Sequence, residues 1–212
     1  MLAVFISVVL VYMTDGATTC FQCNHMPVPG DCAVVTRCEY HEICFVEQVV
    51  TPNGNIVYNS GCRDSRKCPN YNAPVGRDVT ELNVSTNIYH GARSGRGTTD
   101  VVTCTECCTD PYCNKDGCGT KVVDRSQRGP YCYQCMGIDQ MEECRHVTRC
   151  NVHEECIVKQ YLYDFKTLYE SKCIRPTQCK SIELTYAQNS QHECVRCCDA
   201  DFCNTDCQYI SG

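Results

Sequence analysis

The feature that most constrains this chain is a cysteine run that occurs twice. Cys104 to Cys118 reads CTECCTDPYCNKDGC, and Cys194 to Cys207 reads CVRCCDADFCNTDC. Adjacent cysteines, a four-residue gap and a Cys-Asn pair mark both copies. Aligned on these runs, the 24 cysteines divide into two sets of twelve. The first set is Cys20, Cys23, Cys32, Cys38, Cys44, Cys62, Cys68, Cys104, Cys107, Cys108, Cys113 and Cys118. The second is Cys132, Cys135, Cys144, Cys150, Cys156, Cys173, Cys179, Cys194, Cys197, Cys198, Cys203 and Cys207. The first four gaps are the same in both sets, two, eight, five and five residues, and the next is 17 against 16. Other residues return as well: Val35–Cys38 and Val147–Cys150 both read VTRC, His41-Glu42 recurs as His153-Glu154, and Tyr58 as Tyr169. Duplication of one unit explains this self-similarity. Residues 17–118 then form one domain, 119–131 a linker, and 132–212 a second domain.

Cysteine makes up more than a tenth of the 212 residues, the composition of a disulfide scaffold. Such bridges need an oxidising compartment. Tryptophan is absent and phenylalanine occurs only five times, so each unit has little to bury in a core of its own. Small domains of that kind depend on covalent staples, each adding about 2–4 kcal/mol. A net charge of −6 without a basic face argues against a nucleic-acid partner. Residues 1–16 read as a secretory signal peptide. Their apolar run, Leu2 to Met13, is too short to span a bilayer, although no Lys or Arg precedes it, and small residues at Gly16 and Ala17 suit cleavage. The sequence after Cys207, QYISG, carries no hydrophobic tail of the kind a lipid anchor needs. The expected product is secreted and extracellular, with neither a membrane span nor a lipid anchor.

Local signals favour strands. Ile43 to Val50 is rich in β-branched residues, Thr51 to Asn55 supplies a Pro- and Gly-containing turn, and Ile56 to Tyr58 returns. In the second unit, Glu155 to Tyr163 and Thr167 to Ser171 flank a turn near Asp164 to Lys166. A third strand is expected to lead into each closing run, at Thr98 to Cys104 and near Gln191 to Cys194. No segment shows sustained helical periodicity. The gap before the closing run is 35 residues in the first unit and 14 in the second. The longer one holds the sequon Asn83-Val84-Ser85, a candidate glycosylation site at Asn83. Arg125 to Arg128 and Arg93 to Arg96 match minimal dibasic processing sites, although solvated loops of this composition are common.

Catalytic and metal chemistry find little support. A thiol nucleophile would have to be free, yet the repeat offers every cysteine a partner. His41-Glu42 and His153-Glu154 recur, but no Ser or Cys is placed to be activated by them. C-x2-C pairs can hold zinc, but so many cysteines in a secretory context favour disulfides. The sequence calls for no cofactor and reads as a protein that is not an enzyme.

The order C-x2-C followed at the end by CC-x4-CN resembles the three-finger superfamily, which includes the urokinase-receptor and lymphocyte-antigen proteins and the snake neurotoxins. The resemblance covers nearly all of the expected mature chain, in two copies. It implies a small disulfide-rich all-β fold: two tandem three-finger domains, each with three hairpins projecting from a disulfide palm. It also implies pairings that sequence alone does not give. In the first unit these are Cys20–Cys44, Cys23–Cys32, Cys38–Cys62, Cys68–Cys107 and Cys108–Cys113. In the second they are Cys132–Cys156, Cys135–Cys144, Cys150–Cys173, Cys179–Cys197 and Cys198–Cys203. Two cysteines per unit lie beyond the superfamily's ten. The simplest inference is Cys104–Cys118 and Cys194–Cys207. The alternative joins Cys68 to Cys104 and Cys107 to Cys118, with the same swap in the second unit. The resemblance further gives Asn114 and Asn204 a structural role, hydrogen-bonding backbone at the palm.

Function then points to recognition, since bridges that hold hairpins rigid lower the ordering cost of binding. Tyr161, Tyr163, Phe165 and Tyr169 cluster around the second unit's central hairpin, and the first three share strand parity. In the first unit the candidates are Asn53 in the Pro52 to Asn55 turn and Tyr89 in the long loop. The expected partner is an extracellular or cell-surface protein, such as a receptor, channel or extracellular enzyme that this chain modulates or inhibits. A structural matrix protein and a venom-type toxin are the competing readings.

Overall fold

A computed structural model describes residues 17–68, 99–121, 123–189 and 194–207. In the first half, β1 (Thr19–Phe21), β2 (Cys23–Met26) and β3 (Val35–Arg37) come first, and β1 pairs antiparallel with β3. Strands β4 (Glu42–Val50) and β5 (Ile56–Asp64) form a long hairpin, flanked by β6 (Val101–Cys108) and by β2, in the order β2-β5-β4-β6. The second half repeats the plan with β7 (Tyr131–Tyr133), β8 (Cys135–Ile138), β9 (Val147–Arg149), β10 (Glu155–Tyr163), β11 (Lys166–Ile174) and β12 (Val195–Cys198). Here β7 pairs with β9, and the larger sheet runs β12-β10-β11-β8. The β-branched runs make the central hairpins, whose Val46, Val49, Ile157 and Val158 are all buried.

The protein is therefore a disulfide-rich all-β fold, with one α-helix among the described residues. Its twelve bridges follow one scheme in both halves. Cys20–Cys44, Cys23–Cys32, Cys38–Cys62, Cys68–Cys107, Cys104–Cys118 and Cys108–Cys113 staple the first. Cys132–Cys156, Cys135–Cys144, Cys150–Cys173, Cys179–Cys197, Cys194–Cys207 and Cys198–Cys203 staple the second. Buried sulfurs gather at the base of each central hairpin, around Cys20, Cys38 and Cys44 and again around Cys132, Cys150 and Cys156. An asparagine locks each knot. Asn114 accepts from Phe21 N–H and donates to the carbonyls of Phe21 and Phe45, each at 2.9 Å. Asn204 does the same with Tyr133 N–H, Tyr133 O and Ile157 O at 3.0, 3.0 and 3.1 Å. Only an amide offers a donor and an acceptor in this arrangement.

Two sequence expectations are corrected. The third strands run through the closing motif itself, from Val101 and Val195, rather than ending at its first cysteine. Between Cys173 and Cys194, Pro176–Asn189 forms a helix, α1. Proline at the first helical position loses a hydrogen bond that would be missing anyway. Cys179, Ile182 and Tyr186 fall at helical spacing, and Cys179 and Ile182 join a small core with Ile157 and Ile174. That stripe is too short to produce the sustained periodicity a sequence reading requires.

Besides the smaller clusters within each half, the two halves share a core. Phe21, Cys32 and Val35 of the first pack with Tyr131, Tyr133, Met141, Cys144, Val147 and Val158 of the second. Across the seam, Val35 N–H bonds Arg145 O at 2.8 Å and Val147 N–H bonds Ala33 O at 2.9 Å. The cysteine alignment makes Val35 the counterpart of Val147 and Ala33 that of Arg145, so these two bonds are images of each other. Tyr112 and its counterpart Phe202 stack with ring centres 3.7 Å apart. The molecule thus has a pseudo-two-fold axis at its seam. Tyr131, read from sequence as the last linker residue, begins β7 and is buried there. Just before it, the Arg128 guanidinium grips Asp201 through two bonds of 2.8 Å and lies over the Tyr131 ring at 4.7 Å. With its side chain only 10% exposed, Arg128 is poorly placed for a processing protease.

Candidate functional site

The site is the tip of the second central hairpin. Tyr163 pairs with Lys166, which leaves a two-residue turn of Asp164 and Phe165. Both have positive φ, 47° and 62°, the geometry of a type I′ turn, whose twist matches that of the flanking strands. Such turns prefer Asn or Asp followed by Gly. Asp164 fits the rule and Phe165 breaks it. A side chain in the left-handed region costs roughly 1–2 kcal/mol, and Phe165 recovers none of it through packing, because it is 96% exposed. Positive φ also occurs at His25, Tyr112, Cys118, Asp164 and Phe202; Phe165 differs in being an almost fully exposed aromatic, and such strain clusters at functional sites. Tyr163 and Leu162 beside it are 68% and 63% exposed.

Beneath the tip the hairpin is firmly held. Glu170 on β11 lies between Lys159 and Lys172, each ammonium 2.6 Å away. Burial alone would push the Glu170 carboxyl up, but the two ammonium groups outweigh it and hold the carboxyl below its ordinary range. The Lys159 ammonium also sits 5.6 Å from the centre of the Tyr161 ring, which is half-buried. Tyr169 packs against the seam core instead of joining the tip. The expected shared face therefore breaks up. Strand parity holds for Tyr161 and Tyr163, but Phe165 belongs to the turn, where alternation ends. Leu162 escaped the sequence reading because its parity opposes that of Tyr161 and Tyr163; at a tip both faces are open.

The other candidates separate from this site. Asn53 is exposed in a loop closed by Thr51 N–H to Asn55 O and Gly54 N–H to Thr51 O, at 2.9 and 2.8 Å. Asn83 and Tyr89 lie outside the described residues. Asn114 and Asn204 are 1% and 0% exposed and belong to the palm. Glu42 and Glu154 accept the N–H groups of Glu39 and Asn151 at 3.0 and 2.9 Å, which makes each a loop brace; His41 and His153 are exposed. The cysteine triads that come close enough to suggest metal ligation are tied up in disulfides, and no cysteine among the described residues is free. Among those residues no helix is long and apolar enough to cross a membrane. The structure therefore places Tyr163 and Phe165 at the tip with Leu162, puts Tyr161 beneath it beside Lys159, and leaves Tyr169 and Asn53 elsewhere. Searches against protein-family models and against curated proteins return no match to this chain.

Proposed function

We propose that this chain is a secreted binding protein of the three-finger superfamily, built from two units, which engages an extracellular or cell-surface protein through the tip of its second central hairpin. The observation that carries the reading is Phe165, an almost fully exposed aromatic ring held in a strained turn conformation. Exposed aromatic side chains on a rigid backbone are the usual anchors of protein interfaces. Twelve disulfides fit an oxidising compartment and would supply the rigidity. The repeated cysteine order, the central hairpins and the palm asparagines support the superfamily assignment.

The test compares the oxidised wild-type protein with a Tyr163→Ser/Phe165→Ser double variant in pull-downs from membranes and secretions of its own source. A captured protein should bind the wild type and lose at least about tenfold in affinity for the variant, the weakening expected when interface anchors are removed. Equal affinity for the two proteins would remove the tip from the interface.

A further inference from the structure

The pseudo-two-fold axis produces two related clefts at the seam, and they are not filled alike. One is lined by Gly30, Lys115, Arg128, Tyr131 and Arg149 among others and has a free volume of only about 30 Å³. The Tyr131 ring occupies it. Its hydroxyl donates to Gly30 O at 3.2 Å, and the ring stacks against Phe202 at 5.7 Å. The other cleft is open, with a volume of about 310 Å³. Its lining includes Thr19, Arg37, Tyr112, Tyr133, Glu142 and Thr205. In the cysteine alignment these are the counterparts of Tyr131, Arg149, Phe202, Phe21, Gly30 and Lys115. The open cleft thus has threonine where the filled one has the tyrosine that fills it.

The walls indicate the occupant. Val35, Met141 and the Cys144 bridge supply an apolar floor, and the Tyr112 and Tyr133 hydroxyls share a 2.6 Å hydrogen bond within it. Arg37 and Arg145 stand at the exposed rim, and neither forms an ion pair among the described residues, whereas Arg149 in the filled cleft meets Asp31 at 3.8 Å. The volume lies at the small end of ligand cavities, which combine an apolar body with a few placed polar groups. Guanidinium groups pair with carboxylates through charge-assisted bonds.

We infer that the open cleft binds a small aromatic carboxylate. Its single ring takes the place that the Tyr131 ring takes in the mate, and its carboxylate turns to Arg37 and Arg145. A ring hydroxyl would find the Glu142 carbonyl, the counterpart of the Gly30 acceptor. This site is separate from the hairpin tip.

The test uses the oxidised full chain as secreted, with 4-hydroxyphenylacetate as probe and tyramine as its cationic control. Ligand-observed NMR and calorimetry should show saturable binding of the acid, at least about tenfold tighter than of the amine, as expected for charge-assisted bonds. Thr19→Tyr should abolish binding, because it rebuilds the filled cleft. The rim double variant Arg37→Gln/Arg145→Gln should weaken the acid about tenfold without filling any space, and it decides the matter if Thr19→Tyr fails to fold. The tip variant Tyr163→Ser/Phe165→Ser should bind the probe like the wild type, which keeps the two sites distinct. Absence of saturation up to about 10 mM, far weaker than a formed site would give, or equal binding by Thr19→Tyr or by tyramine, would overturn the inference.

Discussion

Replacing Phe165 by glycine should make the protein more stable and a poorer binder at the same time. The stability side follows from the turn. Phe165 sits at φ 62°, and removing its Cβ relieves roughly 1–2 kcal/mol of left-handed strain. Glycine gives back about 0.5–1 kcal/mol through its greater freedom in the unfolded chain. The ring is 96% exposed, so its loss costs almost no burial; a buried phenylalanine would cost about 3–5 kcal/mol. The net is a gain of about 0.5 kcal/mol, or about 1–2 °C in Tm for a chain of this size. Phe165→Ala keeps the strain and should leave Tm unchanged. Phe165→Asn should fall between the two, since asparagine tolerates positive φ. The assay is calorimetric unfolding under non-reducing conditions, with affinity for a captured partner measured alongside. Loss of an interface anchor should weaken binding by about 2 kcal/mol, roughly 30-fold. A drop in Phe165→Gly stability of more than about 1 kcal/mol, the size of an ordinary destabilising substitution, would mean that the ring supports the fold and would refute the argument from strain.

Three further outcomes follow from the palm and the seam. Asn204→Leu strands the Tyr133 N–H and two carbonyls and should cost at least about 3 kcal/mol, read as loss of correctly bridged, folded protein. Arg128→Met removes the two 2.8 Å bonds to partly buried Asp201 and leaves it the Tyr131 N–H at 3.0 Å and Arg125 at 3.6 Å, which should destabilise the protein by about 1–2 kcal/mol after allowance for solvent exposure. Burial would raise the Asp201 carboxyl, but Arg128 and the Tyr131 N–H outweigh it and hold it low, so this stabilisation is present above the unfolded value of about pH 4 and is lost as pH falls through the folded one. Denaturation profiles of the variant and the wild type should therefore converge in acid. Burial pushes Tyr112, Tyr131 and Tyr133 up, and their neutral forms stabilise the fold until alkali ionises them. An absorbance titration should show these three ionising at higher pH than the exposed tyrosines, and Tyr133→Phe should reduce the late-titrating number by one.

Much of the architecture was legible because cysteine spacing is covalent information: the gaps around Cys20 to Cys44 and Cys132 to Cys156 repeat residue for residue. The central hairpins were legible because β-branched runs and turn residues act locally. What escaped the sequence depended on contacts between the halves. Phe21, Tyr112, Tyr131, Tyr133 and Phe202 are scattered along the chain, and only folding assembles them into a shared core. Tyr131 looked like linker because Gly129 and Pro130 precede it, and nothing local marks its seat against Phe21. Helix α1 was hidden because one face buries Cys179 and Ile182 while most of the remainder stays in solvent. At the hairpin tip, aromatic content was visible in the sequence, whereas the strained turn at Phe165 needed the register of β10 on β11.

The whole account rests on the bridges that hold the two palms in the same form. Peptide mapping of the native protein under non-reducing conditions tests this most directly. The account predicts twelve disulfides and no titratable thiol, with Cys104 joined to Cys118 and Cys194 to Cys207. Recovery of a Cys68–Cys104 peptide, or of free thiols among these cysteines, would contradict it.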